Sequence, residues 1–479
     1  MAGSVQVSPG FAITPSSVKA TLPSNYITNF DFLNQYLPDT YEKEFERYGN
    51  RSIASFLRQV GAEMPSNSDM IKWAEQGRLH TKYRACSIAY GAGNDTATLT
   101  VADAGITACN FRVGQTVFLS SNVSTAADKA IVTAVNVGGA APLTFSVAYY
   151  STSGGTIVDS GNNDITAFVY GSEFAKGTNG MSGSLEAEDS IFDNKPIIIK
   201  ENYEVSGSDM AQIGWVEVTT ENGATGYLWY IKSEHETRLR FEDYLEMAMI
   251  EGVPAGAGSA AGDYLQSVAA GTSAADKSGT EGLFYTIEQR GNVWGGGNPS
   301  TLADFDAIIQ RLDKQGSIQE NMLFVNRNFG FDIDDMLAAQ NSYGVNGTSY
   351  GVFNNDENMA LNLGFKGFKR GYDFYKTDWK YLNDATLRGG IVGGEVNGVL
   401  VPAGSTSVYD MVMGKNAKRP FLHVRYRASE TENRRYKTWI TGSAGGASTS
   451  DLDAMRVNFL SERALCTLGA NNFFIFKSA

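Results

Sequence analysis

The chain has 479 residues, and 42% of them are hydrophobic, so it can bury a sizeable core spread over about two to four domains. Its 39 Lys+Arg against 52 Asp+Glu leave a net charge of -13 without a basic stripe, which argues against tight nucleic-acid binding by charge neutralisation. With 52 Gly and only 11 Pro, the chain favours turns and hairpins over disordered linkers.

The N-terminal residues Met1-Ala-Gly-Ser-Val-Gln-Val-Ser lack the basic and apolar regions of a signal peptide. No run approaches the length of a membrane span. The cysteines are Cys86, Cys109 and Cys466, an odd set without C-x-x-C spacing, which reads as buried thiols in a reducing compartment.

Residues 1–75 read as an arm with little core of its own. Tyr41, Phe45 and Tyr48 mark a short helix ending at Gly49. Ser52 can cap a second, with Ile53, Phe56, Leu57 and Val60 on one side and Gly61 after it. Such an arm is expected to lie on another domain or another subunit.

Charges then thin out and period-2 patterns begin. Ala97, Leu99 and Val101 alternate with threonines, and 113–119, 130–137 and 143–149 read as further strands. Residues 86–170 are therefore expected to form an inserted small all-β domain, a sandwich or barrel. The flanks, Trp73 to Ala85 and Thr166 to Gly207, read as one long hairpin. Its later arm starts with Ala167-Phe-Val-Tyr170, passes a Gly-rich tip and returns through Pro196-Ile-Ile-Ile199.

The most informative element follows. Residues 227–251 run without Gly or Pro and stop at Gly252. Leu228, Ile231, Leu239, Leu245 and Met249 recur at helical spacing, with Phe241 and Tyr244 widening the stripe. A lone helix of that length can act as a beam, which suits a shell subunit better than an enzyme.

Residues 254–262 read as a small-residue loop. Ser300 or Thr301 caps a helix with Leu302, Phe305, Ile308, Ile309 and Leu312 inward, ending at Gly316. Met322–Val325 is a candidate buried strand and Phe331–Ala339 a helix; Tyr372 and Phe374 begin another strand. Residues 421–427 and 435–440 are expected to pair as a hairpin, and Met455 to Phe476 closes the chain as extended strand. No fixed-period repeat is present, which removes solenoids and propellers.

The motifs that could carry chemistry are weak. Gly347-Thr-Ser-Tyr-Gly351 has the G-x-S-x-G form, with Asp373 and His423 following in hydrolase order. A nucleophile elbow needs a buried strand before Ser349 and a helix after it, and neither flank fits, so the segment reads as a Gly-rich loop. His235-Glu236 begins an H-E-x-x-H motif, but Leu239 stands where the second histidine would be. His80, His235 and His423 are the only histidines, which speaks against a multi-histidine metal site. Asp276–Thr280 lacks the apolar strand of a phosphorylated-aspartate loop, and Gly295-Gly-Gly-Asn-Pro has no Walker lysine. Glu186, Glu188 and Asp189, and Asp332, Asp334 and Asp335, could hold a hard cation between subunits. They read more simply as a solvated loop and a helix N-terminus. The residues thus supply no catalytic, cofactor-binding or metal set, and no cofactor is expected.

The order of arm, hairpin, beam helix, mixed domain and closing strands resembles the major capsid proteins of tailed bacteriophages, the Hong Kong 97-type fold. The segments Ile198-Ile-Lys-Glu-Asn-Tyr-Glu-Val-Ser-Gly-Ser208, Phe368-Lys-Arg-Gly-Tyr-Asp-Phe374 and Val457-Asn-Phe-Leu-Ser-Glu-Arg-Ala-Leu465 carry the likeness. Ser55-Phe-Leu-Arg to Trp73-Ala-Glu-Gln resembles the crAss-like branch. The likeness covers roughly residues 50–85 and 165–479; the 86–170 insertion departs from the minimal fold.

The resemblance implies an α+β protein with an N-terminal arm (1–75) and an extended-loop hairpin (76–210) holding the insertion. A peripheral domain (211–290) with spine helix 227–251, an axial domain (291–415) and a return to the peripheral domain (416–479) would follow. Copies would self-assemble into hexamers and pentamers of an icosahedral head enclosing double-stranded DNA without sequence-specific binding or membrane contact. Portal, scaffolding and auxiliary or head-fibre proteins would be the other partners. Location would be the virion, with assembly in the host bacterial cytoplasm and no enzymatic reaction. Some members crosslink an extended-loop lysine, and Lys176 is placed for that. A β-rich tail or adhesin protein is the alternative; it would more often show repeats and no such helix.

Overall fold

The computed structural model describes residues 56–57, 62–77, 80–102, 106, 109–136, 143–186, 189–211, 218–219, 225–226, 229–256, 259–268, 279–316, 318–340, 366–410, 415–444 and 448–478. The expected helix around Tyr41 lies outside them, as do Ser52 and Ile53; Phe56 and Leu57 are helical and buried.

In chain order, β1 (Ala62–Ser66) and β2 (Ile71–Gln76) lead into β3 (Lys82–Tyr90), β4 (Thr96–Val101), β5 (Gln115–Ser121), β6 (Ala127–Val135), β7 (Leu143–Tyr149) and β8 (Ile165–Ser172). Then come β9 (Asp189–Asn194), β10 (Ile197–Ser206), α1 (Gly207–Ala211), the short β11 (Val218–Thr219) and β12 (Thr225–Gly226), and α2 (Trp229–Glu251). The sequence continues through α3 (Ala260–Ser267), α4 (Leu283–Arg290), β13 (Asn292–Trp294), α5 (Leu302–Gln315), β14 (Glu320–Val325) and α6 (Arg327–Gln340). It ends with β15 (Gly367–Arg370), β16 (Tyr372–Asp378), α7 (Lys380–Asn383), β17 (Val396–Pro402), β18 (Ser405–Asp410), β19 (Lys415–Pro420), β20 (Leu422–Arg427), β21 (Lys437–Gly442), β22 (Ala454–Thr467) and β23 (Phe474–Lys477). The protein is mixed α and β, rich in strand, and divides into two compact units, 74–192 and 1–73 with 193–479.

Unit 74–192 is built on a closed antiparallel barrel in the order β3-β4-β7-β6-β5-β8. Alternation along the strands decides it. Leu99, Val117, Val132, Phe145, Val147 and Ala167 turn inward and are essentially solvent-free. Closure leaves no strand edge open.

Two sequence expectations change here. β3 starts at Lys82 and β8 ends at Ser172, so the barrel extends past 86–170 on both sides. The Ala167–Tyr170 strand is also no hairpin arm: it lies inside β8, which pairs with β3 and β5. Alternation shows that a strand has one buried face, but not which strand lies beside it. The paired flanks are instead β2 and β9.

The other unit holds two larger sheets. In the first, the order is β1-β20-β22-β10, and β21 also pairs with β22. β22 offers 14 residues, long enough to take β20 beside Arg463–Thr467 and β21 beside Met455–Leu460 on the edge opposite β10. The segments 421–427 and 435–440 therefore do not ladder with each other, apart from the bridge Ala428–Asn433. Each is satisfied by the longer strand.

The helix α2 has 23 residues and spans roughly 35 Å. Phe241 and Leu245 pack on Met455, Val457 and Phe459 of β22, and Met249 and Ile250 enter the largest core cluster. The buried row is Thr237, Phe241, Leu245 and Met249, spaced by four residues. Tyr244 stays 39% exposed and Leu239 half-buried, so the stripe is narrower than expected. Leu228 and the side chain of Ile231 lie outside the described residues.

The second sheet runs β13-β23-β17-β14-β16-β15. Phe305, Ile308 and Leu312 of α5 and Phe329, Ile333 and Leu337 of α6 share a core cluster with its strand residues. α5 begins in a capping box, Thr301 Oγ1 accepting from Asp304 N while the Asp304 carboxylate accepts from Thr301 N. The closing stretch is two strands rather than one. β22 ends, Gly469 turns the chain at φ +60, and β23 enters the second sheet between β13 and β17. Residues 260–262, expected as loop, begin α3.

Candidate functional site

The best-defined polar arrangement of unit 1–73 with 193–479 surrounds Phe56, Leu57 and β1. β1 runs parallel to β20, Ala62 opposite His423. The Glu63 carboxylate takes Arg435 on one oxygen and Arg463 Nη1 at 3.3 Å on the other. Arg427 binds Asp69, and Arg425 Nη1 donates to the Pro65 carbonyl at 3.3 Å. Ahead of the strand, Phe56 is 1% exposed; its ring stacks on Trp379 and meets Phe324 edge-on, each at 4.5 Å. Its backbone N–H donates to the buried Glu246 Oε1 at 2.9 Å. A cleft of about 700 Å³ lined by Leu57, Glu63, Glu246, Arg435, Tyr436 and Arg463 lies there.

A second polar knot closes the C-terminal end of α2. Arg388 reaches both oxygens of Glu251, Nη2 to Oε2 at 2.9 Å, and lies 5.1 Å from the Phe284 ring. The Tyr381 hydroxyl donates to Glu251 Oε1 at 2.5 Å, and burial pushes that phenol well above its usual range. A carboxylate on the last turn of a helix faces the negative end of its dipole, and the guanidinium offsets it. Both constellations tie distant parts of one chain together, and in neither does a nucleophile stand beside a base.

The sequence candidates do not converge. Ser349 lies outside the described residues. Asp373 is on β16, paired with Lys369 at 3.0 Å. His423 belongs to the other sheet, opposite Cys466, with Nδ1 3.3 Å from the Pro420 carbonyl. Burial, helped by Arg425 and Arg419, lowers its pKa to about 4. His235 sits on α2 with Nδ1 3.2 Å from Arg238 Nη2, and His80 is exposed in a bend. Burial raises the Cys109 thiol and lifts Cys466 to about 12; all three cysteines are buried, and none is joined in a disulfide.

Asp332 and Asp334 lie within α6, past its first turn, rather than at its N-terminus. Asn298 Nδ2 donates to Asp332 at 2.6 Å, and Lys376 pairs with Asp334 at 2.5 Å. Glu186 and Asp189 are exposed and Glu188 lies outside the described residues, as does Asp276. No group of three or more His, Cys, Asp or Glu able to hold a metal ion occurs among the described residues. Among them, too, no helix is long and apolar enough to cross a membrane. Gly295–Pro299 is a loop after β13, and Lys176 stands exposed in a turn after β8.

Sequence reasoning missed Glu63, Arg463, Glu251 and Arg388 as polar hubs. Their partners lie up to 400 residues away in the chain, so no local spacing announces them.

No family model matches the chain, and no curated protein matches it. Solved structures do. A protein of Microbacterium phage Oxtober96 is 10% identical, with 92% of this chain and 95% of that one covered at a TM-score of 0.38. The capsid of the native GTA particle is 10% identical, with 95% and 100% covered, also at 0.38. The mature capsid of bacteriophage PhiM1 is 10% identical, with 64% and 78% covered, at 0.33. Scores and identities of this size do not establish a common fold.

Proposed function

We propose that this chain is the major capsid protein of a tailed bacteriophage, a structural subunit without a reaction of its own. The observation that carries the reading is the β10–β22 ladder, ten consecutive antiparallel pairs from Ile197–Arg463 to Ser206–Ala454, with α2 laid against it through Phe241 and Leu245. That pairing joins the strand after the hairpin to the strand that closes the chain. It supports reading α2 as a spine helix and the first sheet as a peripheral domain. It also supports reading the second sheet with α5 and α6 as an axial domain of a Hong Kong 97-type fold.

In this reading residues 1–75 are the arm, 76–210 the extended loop carrying the barrel, 211–290 and 416–479 the peripheral domain, and 291–415 the axial domain. Copies form hexamers and pentamers of an icosahedral head around double-stranded DNA, assembled in the host cytoplasm with portal, scaffolding and auxiliary proteins. Membership in the crAss-like branch rests on the sequence text alone. Exposed apolar side chains suit burial between subunits: Val392 is 91% exposed and Phe331 56%.

Sedimentation and negative-stain microscopy of the expressed chain, alone and with the scaffolding protein of its genome, test the proposal. Rings or shells are expected; a strict monomer under every condition overturns it.

A further inference from the structure

The outward face of the barrel carries a cluster of exposed aromatic rings. Phe118 of β5 and Phe168 of β8 are cross-strand partners, and both point away from the barrel interior. Their ring centroids lie 5.2 Å apart. Tyr170, two residues along β8, shares that face, and Lys129 of β6 holds its Nζ 5.7 Å from the Tyr170 centroid. Tyr150 completes the patch, its hydroxyl donating to Glu173 Oε2 at 2.6 Å. Burial, the Glu173 carboxylate and neighbouring Tyr170 push the Tyr150 phenol up to about 12. These rings are positioned in advance: two lie tilted against each other, one lies by an ammonium and one is tied to a carboxylate.

Phe168, Tyr150 and Tyr170 remain 37%, 48% and 49% exposed. At roughly 200 Å² per aromatic side chain, that is on the order of 300 Å² of ring surface. A stable protein interface needs about 800 Å² per partner, so the patch is too small to hold a second protein by itself. A polyanion is disfavoured as well, because residues 74–192 carry six basic against ten acidic side chains. The occupant that fits is small and neutral, with a flat C–H face to lie on the rings and hydroxyl edges for the Lys129 ammonium and the Glu173 carboxylate. That is the chemistry of a pyranose.

We propose that the Phe118–Phe168–Tyr170–Tyr150 face of the barrel binds neutral saccharide chains. The inference concerns the barrel alone and holds whether or not the chain forms a shell. Affinity electrophoresis of the full chain through gels containing dextran, starch, xylan or glucomannan tests it, with heparin gels and a single-stranded oligonucleotide as anionic controls. Retardation by at least one neutral polysaccharide is expected, weakened about tenfold by Tyr170→Ala and by Phe168→Ala. Both side chains lie outside the barrel core, so each variant should still melt cooperatively, Phe168→Ala at a somewhat lower temperature because Phe118 loses its ring partner. Lack of retardation in all four neutral gels overturns the proposal. So does retardation that both variants retain, or binding to heparin or the oligonucleotide alone.

Discussion

Phe56 lies flat on Trp379, with centroids 4.5 Å apart and ring planes 24° apart, although 323 positions separate the two in the chain. The contact carries the segment before β1 into the main core, where Phe324, Trp379 and Leu382 surround it. The Glu246 carboxylate meets the Phe56 N–H in the same place. Phe56 and Leu57 thereby belong to the main core itself.

Phe56→Ala should therefore cost about 3–5 kcal/mol, the range for deleting a buried phenylalanine. Urea denaturation of wild type and variant measures it. A loss under about 1 kcal/mol would mean that the segment docks without contributing to the core.

The knot at the end of α2 gives a second outcome. Arg388→Ala leaves Glu251 on the last turn of the helix without its fork partner and uncovers Phe284. Both side chains are part-exposed, 21% and 34%, so solvent screens the pair and the loss should be about 1–2 kcal/mol. Arg388→Lys should recover less than half of it, because an ammonium cannot span both carboxylate oxygens. Thermal melts of the three proteins decide this; full rescue by lysine would show that charge alone acts.

How much of this was legible in the sequence varies with the range of the interaction. α5 was read with its cap because Thr301 and Asp304 sit in one turn and the apolar residues repeat every three to four positions. The barrel strands were read because threonines alternate with aliphatics. α4, with Leu283, Phe284 and Ile287 buried, is not legible: a helix of eight residues gives too few repeats of the helical period. Partners were the least legible. The sequence pattern suggests a hairpin for part of β8 and a β20–β21 pair, because strand alternation is blind to which neighbour supplies the hydrogen bonds. The aromatic face was present as parity, Phe168 and Tyr170 both out of phase with Ala167 and Val169, but only barrel closure brings Phe118 and Lys129 beside them.

His423 predicts a pH dependence. It is 3% exposed, and its pKa falls from the ordinary 6.5 to about 4 in the folded chain. Between those values the unfolded chain binds a proton that the folded chain refuses. Stability is thus full above pH 6.5 and falls as the pH drops toward 4, by on the order of 3 kcal/mol in all. His423→Gln should remove that part of the slope. Urea midpoints for both proteins between pH 4 and 7 measure it, and parallel curves would assign the acid sensitivity to other groups.

The barrel should fold by itself, and the rest of the chain should fold without it. Its core cluster, with Phe111, Val117, Val132 and Phe145 among its members, is made wholly of residues from 83 to 169. Closure leaves no edge strand waiting for a partner. Lys82 stands directly opposite Phe168 across the β3–β8 ladder, so the two chain ends left by an excision are about 5 Å apart. A fragment of residues 80–186 keeps Glu173 and the turn through Gly183, whose carbonyl accepts from Arg112 Nη1 at 2.9 Å. It should show a cooperative thermal transition. The complementary protein, with residues 83–167 replaced by a short Gly-Ser linker, should keep the fluorescence of buried Trp379, because every side chain stacked on that ring lies outside the excised stretch. A fragment that melts without cooperativity, or a deletion protein that exposes Trp379 to quencher, would show that each part needs the other to fold.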